Sequence, residues 1–152
     1  MREFAALKFD QNAFERLLQF SNIETNVNFL ICQVRDDAIC GQLSLSQIFR
    51  RGFQNCYLGY QLFEGFTGRG YMTDAVSLAL KFAFLELGLH RVEANVQPNN
   101  APSIAVLQRN GFEKEGFSRR YLKIGGRWCD HERWAIIKEH WQQFRRHGSK
   151  RT

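Results

Sequence analysis

The sequence lacks the features that mark membrane, secreted and metal-bound proteins. No apolar run approaches the ~20 residues that a bilayer-spanning helix needs, and the start MREFAALKFDQN contains no signal-peptide core. The cysteines (Cys32, Cys40, Cys56 and Cys129) form no C-x-x-C pair, and the histidines do not stand at ligand spacing from them. We therefore expect a cytoplasmic protein with reduced, partly buried thiols, no membrane association and no metal site.

The body of the chain also lacks an excess of charge. The formal net charge is +6, but the final segment RRHGSKRT holds four of the 21 basic residues and no acid, which leaves 17 basic and 15 acidic residues elsewhere. Such a tail is usually solvated, so any contact with nucleic acid or a ribosome runs through it and is weak. With 152 residues, of which 44% are apolar, the chain predicts a single domain over residues 1–152.

The first 63 residues predict short strands around one helix. Apolar residues at helical spacing predict a helix over residues 11 to 20, after a short strand in FAALKF. The segments VNFLICQV, AICGQLSLSQIF and NCYLGYQLF then predict three successive strands of an antiparallel meander, with a turn at Asp36-Asp37. Alternation places Leu58, Tyr60 and Leu62 on one face of the third strand.

The period changes after residue 70. An apolar stripe from Met72 to Leu87 predicts a buried helix ended by Gly88, and RVEANVQ alternates as a strand. Because this helix separates the strand NCYLGYQLF from the strand RVEANVQ, we expect the two strands to lie parallel in a βαβ unit. A helix capped by Asn99 or Asn100, a hairpin at Gly125-Gly126 and a last helix near KEHWQQF complete the chain. The predicted fold is α/β in the α+β sense: a mixed, mostly antiparallel central sheet with helices on both faces.

The loop FEGFTGRGYMTDAV precedes the buried helix and concentrates three glycines in six positions. A strand that ends in such a loop and enters a helix directs backbone N–H groups and the helix dipole at one point, which suits a phosphate. A Walker A loop is excluded because Tyr71-Met72 follow Gly70 in place of Lys-Ser/Thr. A dinucleotide fingerprint is disfavoured because Thr73 stands at the third glycine position. The loop alone leaves a plain tight turn open as well.

Four further pieces, in order, are more specific: GRGYMTDAV, LGLHRVEANVQPNNAPS, VLQRNGF with EG after it, and GGRWCDH. Over residues 58 to 137 the chain resembles the ribosomal-protein N-acetyltransferases of the GCN5-related (GNAT) superfamily, which modify N-terminal alanine or serine. The resemblance implies the GNAT fold, an acetyltransferase activity, and acetyl-CoA as cosubstrate. One departure is Gly65, where the wider superfamily has Arg or Gln.

The resemblance also implies a set of coenzyme-binding residues. Backbone amides from Gly68 to Thr73 would take the pyrophosphate, and Leu62-Phe63 would line the pantetheine arm and offer one N–H to the thioester carbonyl. Asn100 would bind the pantetheine arm, and Ser103 lies where the leaving sulfur should emerge. The implied set is Leu62, Phe63, Gly68, Arg69, Gly70, Tyr71, Met72, Thr73, Asn100 and Ser103.

The chemistry requires a neutral amine, a donor to the carbonyl oxygen and a proton for the thiolate. An α-amino group with a pKa of ~7.7–8.0 is roughly a tenth neutral at pH 7, whereas a lysine near ~10.4 is neutral at under one part in a thousand. A weak base therefore suffices for an N-terminal substrate. Related enzymes use a glutamate and a tyrosine at positions that are Asn95 and Leu107 here, so that pair does not carry over.

Three residues remain as catalytic candidates. Glu93 is the candidate base, directly or through water, or else a structural partner in cross-strand pairing. Ser103 is the candidate proton donor to the thiolate, or a residue that helps to cap its helix. Tyr121 is a second candidate donor, or a core aromatic. Asp130 and His131 point to opposite faces of their strand and so form no charge-relay couple.

The acceptor is the least determined part of the prediction. Only ~26 residues precede VNFLICQV, so we expect either an abbreviated N-terminal segment or an internal translation start. An abbreviated segment would leave a sheet edge that a second subunit could cover in a homodimer. A protein N-terminus is the leading acceptor and a small amine the second, with a polycation disfavoured because no acidic cluster is seen. A coenzyme-binding or ribosome-associated module without turnover is the third hypothesis.

Overall fold

The computed structural model of the protein describes residues 5–8 and 24–148. The first of these ranges is described as a strand only, and the helix predicted over residues 11 to 20 lies outside the described residues. The described strands are β1 (Ala5–Lys8), β2 (Val27–Gln33), β3 (Ile39–Phe49), β4 (Asn55–Leu62), β5 (Arg91–Val96), β6 (Glu113–Ile124) and β7 (Arg127–Ile137). The described helices are α1 (Tyr71–Lys81), a π-helical turn (Phe82–Glu86), α2 (Ala101–Arg109) and α3 (Lys138–Gly148).

The strands form one mixed sheet in the order β1-β2-β3-β4-β5-β7-β6. Five neighbouring pairs are antiparallel, and only β4 and β5 run parallel among the described strands. The parallel pair arises because α1 carries the chain across the sheet between β4 and β5. The predicted meander, βαβ unit and fold class are confirmed.

Local sequence explains where the two central helices begin and end. Gly70 precedes α1 with φ of 81°, a left-handed conformation that glycine adopts without steric cost. The helix predicted up to Leu87 is confirmed, with its last turn widened into the π-helical segment. Asn100 caps α2 by accepting a hydrogen bond from the Ser103 N–H at 3.3 Å, which selects Asn100 over Asn99 as the cap.

A single apolar cluster joins the sheet to the helices. Alternate residues of the central strands point into it, among them Leu58 of β4 and Val92 of β5, both nearly inaccessible to solvent. Helices α1 and α2 pack on these residues, and Trp141 of α3 reaches the cluster with its ring 5.1 Å from that of Phe84. We call this side of the sheet the helix face.

The residues between them point to the other side, which we call the opposite face. It carries Tyr57 of β4, Glu93 and Asn95 of β5, and Arg133 of β7, because Glu93 pairs with Tyr57 and Asn95 pairs with Arg133 in the strand register. Within residues 24–148, no helix has both the length and the apolar character to cross a bilayer.

Candidate active site

The pairing of β4 with β5 stops before either strand ends. Three residue pairs form, from Asn55–Arg91 to Tyr57–Glu93, whereas β4 continues to Leu62 and β5 to Val96. A cleft of about 580 Å³ lies beside this unpaired part of β4, the glycine loop and the first turns of α1 and α2. The cleft is lined by Tyr60, Gln61, Leu62, Thr67, Gly68, Gly70, Met72, Thr73, Asn100, Pro102, Ser103, Ala105, Val106 and Arg109. The fold thus brings three separate chain segments to one site.

The backbone of β4 directs one particular N–H toward this cleft. The Phe63 N–H donates to the Cys40 carbonyl of β3 at 2.7 Å. Backbone groups of successive strand residues point to alternate edges, so the Leu62 N–H points to the edge that β5 has left. Of the expected Leu62-Phe63 pair, only Leu62 therefore remains a donor for a ligand in the cleft.

The N-terminus of α1 offers further backbone donors. The Asp74 N–H donates to the Gly70 carbonyl at 3.2 Å and so begins the helical ladder, which leaves the N–H groups of residues 71–73 without an acceptor inside the helix. Gly68 and Gly70 line the cleft, and a Cβ at either position would meet nothing within 4 Å. Open space, orphan amides and the helix dipole together make this end of the cleft an anion site.

Two hydroxyl groups meet at the other end of the cleft. The Tyr60 hydroxyl lies 2.7 Å from Ser103 Oγ, and its one hydrogen can point either to that oxygen or to the Ser103 carbonyl at 3.2 Å. Burial raises the pKa of Tyr60, and its hydrogen bond with Ser103 partly opposes that rise. Tyr60 therefore stays protonated and can pass a proton to Ser103. The serine itself is held in place by Asn100, the cap of α2.

The other two predicted catalytic residues lie elsewhere. Glu93 is on the opposite face, where its carboxylate accepts a hydrogen bond from Arg91 Nε at 2.8 Å, and Arg91 also binds Glu115. Tyr121 is 36% exposed, with its ring 6.0 Å from the ring of His131. Neither residue lines the cleft, and Tyr121 is not a core aromatic. The geometry favours a structural role for Glu93.

Most of the predicted coenzyme residues line the cleft, and three do not. Phe63 and Arg69 are exposed, while the Tyr71 side chain is buried 6.5 Å from the Phe66 ring, so that only its backbone faces the anion site. Leu62, Gly68, Gly70, Met72, Thr73, Asn100 and Ser103 all contribute to the lining.

Comparisons with known proteins identify this architecture. The model of the acetyltransferase (GNAT) domain matches residues 3–113. The chain belongs to the GNAT family of acetyltransferases. It is 46% identical over 110 residues to the probable N-acetyltransferase YjcK of Bacillus subtilis, covering 72% of this chain and 61% of that protein. It is 38% identical over 103 residues to the [ribosomal protein uS5]-alanine N-acetyltransferase of Escherichia coli, covering 68% and 53%.

A solved structure agrees with the sequence relatives. Mycobacterium smegmatis RimJ in complex with CoA-disulfide superposes with a TM-score of 0.77 at 30% identity, covering 90% of this chain and 70% of that one. The aligned region spans less than two thirds of the two curated relatives named above. This GNAT chain therefore shares the fold of a coenzyme-bound relative over most of its length.

Sequence reasoning missed two residues of this GNAT cleft. Tyr60 was placed on the correct strand face but given no role, because its contact with Ser103 spans 43 residues. Arg109 lines the cleft from the last turn of α2. The spacing of Ser103, Val106 and Arg109 follows one helix face and was the available signal for the arginine. Its cation adds positive charge to the lining of the cleft.

Proposed function

We propose that the protein is an acetyl-CoA-dependent N-acetyltransferase that acts on the α-amino group of a protein N-terminus. The observation that carries the proposal is the convergence in one cleft of the Leu62 N–H, the N-terminal amides of α1 and the Tyr60–Ser103 hydroxyl pair. These groups match the three parts of an acetyl thioester of coenzyme A: a carbonyl oxygen, a pyrophosphate and a leaving sulfur. Family membership and the coenzyme-bound relative support the same assignment.

Each group then has a defined task. The amides of residues 71–73 hold the pyrophosphate, and the unpaired edge of β4 binds the pantetheine arm as an added strand. The Leu62 N–H donates to the carbonyl oxygen as negative charge develops there during attack of the amine. Ser103 gives its proton to the departing thiolate and is reprotonated by Tyr60.

A smaller cleft on the other side of β4 supports a peptide as the acceptor. It measures about 280 Å³ and shares Tyr60 and Gln61 with the coenzyme cleft. Its lining on the opposite face carries the polar side chains of Asn28, Gln42, Ser44 and Gln61 together with Leu30 and Gly59, and none of the described lining residues is charged. Amides and a hydroxyl suit peptide backbone groups, whereas a polyamine would need carboxylates. The relative that acts on the alanine terminus of uS5 favours the same class.

The decisive experiment measures thiol release from acetyl-CoA with four acceptors. These are peptides beginning with alanine or serine, the same peptides with acetylated N-termini and one internal lysine, a panel of small amines, and water alone. We expect release with the free N-termini only, and mass spectrometry should place the acetyl group on the α-nitrogen. Acetylation of lysine in the blocked peptides would overturn the N-terminal assignment, and coenzyme binding without thiol release from any acceptor would indicate a module without turnover.

A further inference from the structure

His131 is a buried histidine that does not line the coenzyme cleft. The residue is 3% exposed, and its Nδ1 lies 2.9 Å from the Cys129 carbonyl oxygen. A carbonyl only accepts hydrogen bonds, so Nδ1 carries the hydrogen and Nε2 of the neutral ring carries a lone pair. Within residues 24–148, the hydrogen bond found for this ring is the one at Nδ1. The backbone therefore holds the imidazole in the tautomer that accepts a proton.

Asn95 provides a second, independent observation. Its Oδ1 is buried and has no hydrogen-bond partner in the described part of the chain. Leaving a buried acceptor unpaired is unfavourable, so the unpaired Oδ1 indicates a donor that binds there. Asn95 pairs with Arg133, which makes His131 its diagonal neighbour on the same face of the sheet. The Cα atoms of diagonal neighbours lie about 7–8 Å apart, within reach of long side chains, so one amine nitrogen can contact both residues.

The position of this pair fits an acceptor amine. His131 and Asn95 point to the opposite face, as does Gln61 of the polar cleft, whereas Tyr60 points to the coenzyme side. Asn95 lies two residues beyond the last β4–β5 pair, at the level where the two strands have separated. A thioester reached from the helix face and an amine reached from the opposite face would meet at this opening.

We propose that His131 Nε2 is the proton acceptor for the attacking amine and that Asn95 Oδ1 orients the same nitrogen, an inference that rests on the proposed function. The ammonium loses one proton to Nε2, which holds it during the attack and releases it to solvent afterwards. The neutral nitrogen forms the C–N bond with the acetyl carbon, and the C–S bond breaks as the thiolate gains a proton from Ser103. The second proton of the nitrogen restores the one that the Ser103–Tyr60 pair has given up, so one proton is released per turnover.

Among the described residues, no neighbouring ionisable group on this face is placed to accept the proton of the amine in place of His131. Glu93 of β5 is paired with Arg91, and Asp130 turns away and accepts a hydrogen bond from the Arg120 N–H at 2.8 Å. The remaining ionisable residues of the opposite face near the ring are Tyr57 of β4, Tyr121 of β6, and Cys129 and Arg133 of β7. The Cys129 thiol donates to the Arg127 carbonyl at 3.5 Å. A tyrosine or an arginine is not a base near neutral pH.

The test compares His131→Asn with Asp130→Asn, its neighbour on the same strand. Asparagine at 131 can still donate to the Cys129 carbonyl but has no Nε2. With a peptide beginning with alanine, we expect kcat/KM of His131→Asn to fall at least tenfold at pH 7, because only about a tenth of an α-amine is neutral there. The loss should shrink below about threefold at pH 9, where the amine deprotonates unaided. Asp130→Asn should match the wild type throughout, and coenzyme affinity should stay constant in both variants.

A pH-independent loss in His131→Asn would overturn the inference and indicate a structural role, as would activity equal to that of the wild type. If the variant does not fold, the wild type carries the test alone. Its kcat/KM must reach a plateau below the pKa of the peptide amine, ~7.7–8.0, and a profile that follows the neutral amine fraction would overturn the proposal. Absence of thiol release from the wild type with every acceptor would instead reject the proposed function.

Discussion

The hydroxyl groups of Tyr60 and Ser103 lie 2.7 Å apart, although 43 residues separate them in the chain. Tyr60 is on β4 and Ser103 is in the first turn of α2, and both residues line the coenzyme cleft. Because the tyrosine is buried and protonated, the pair can act as one proton relay. Four predictions follow from this site and its surroundings.

If the two hydroxyls act as a unit, removing either one should lower kcat nearly as much as removing both. We expect Ser103→Ala and Tyr60→Phe each to lower kcat about 10²-fold, with the double variant close to the worse single one. Steady-state kinetics with coenzyme affinity measured in parallel provides the check. Near-normal kcat in Ser103→Ala would return that serine to a packing role in α2.

Gly70 and Gly65 form a matched pair for the anion site. Both have positive φ, 81° and 88°, and a Cβ at either meets nothing within 4 Å, but only Gly70 lines the cleft. Alanine at either position should lower the free energy of unfolding by a similar ~1–2 kcal/mol of backbone strain. Coenzyme affinity should fall at least tenfold in Gly70→Ala and stay within about twofold in Gly65→Ala. Equal affinity in both variants would remove the loop from the site.

Asn100 has two separable functions. Its Oδ1 caps α2 through the Ser103 N–H, and its Nδ2 remains a donor at the cleft. Asp caps helices about as well as Asn, so Asn100→Asp should keep the thermal midpoint while coenzyme affinity falls several-fold. Asn100→Ala should lose both the cap and the coenzyme contact, and its free energy of unfolding should fall by ~1 kcal/mol. An Asn100→Asp protein with unchanged affinity would leave only the capping role.

The buried thiol of Cys56 should make the free energy of unfolding fall at alkaline pH. Burial raises the pKa of this thiol from 9.0 to about 12. Below pH 9 both folded and unfolded forms are protonated, so its contribution is fully present. Between pH 9 and 12 the unfolded thiol ionises and the folded one does not, so stability falls by up to ~1.4 kcal/mol per pH unit. Urea unfolding at a series of pH values from 8 to 11 measures this fall in the free energy of unfolding.

The matched variant for that experiment is Cys56→Ala. It should start from lower stability because a buried side chain is truncated, but it should show a flatter decline above pH 9. An equally steep decline would assign the alkaline limb to other groups, such as the tyrosines Tyr57 and Tyr60, whose pKa values burial also raises.

The helices and strands were predictable where the spacing of apolar residues matches the buried face of the element. Alternation in RVEANV matches the burial of Val92, Ala94 and Val96 in β5, and the apolar stripe after residue 70 matches the buried face of α1. Gly70, Gly88 and Gly111 all take positive φ at helix ends, as their positions in the sequence suggested. These signals are readable because helix and strand periods depend on residues a few positions apart.

The site was predictable only in part. The glycine loop, Asn100 and Ser103 were found from the order of motifs, and the structure places them around one cleft. Glu93 was chosen as the base from its strand face alone, and its ion pair with Arg91 could not be read from alternation. The roles proposed for Tyr60, Asn95 and His131 depend on tertiary contacts and on strand register, which local sequence patterns do not report.

The sequence by itself determined the strands, the helix ends, the family and the position of the glycine loop, because each depends on neighbouring residues or on short motifs. Only the tertiary structure decided that β4 and β5 part after three residue pairs, that Leu62 rather than Phe63 offers its N–H to the opening, and that Tyr60 meets Ser103. The physical reason is that strand register and the packing of α1 and α2 set these distances. They arise from the whole core at once and leave no trace in any single stretch of residues.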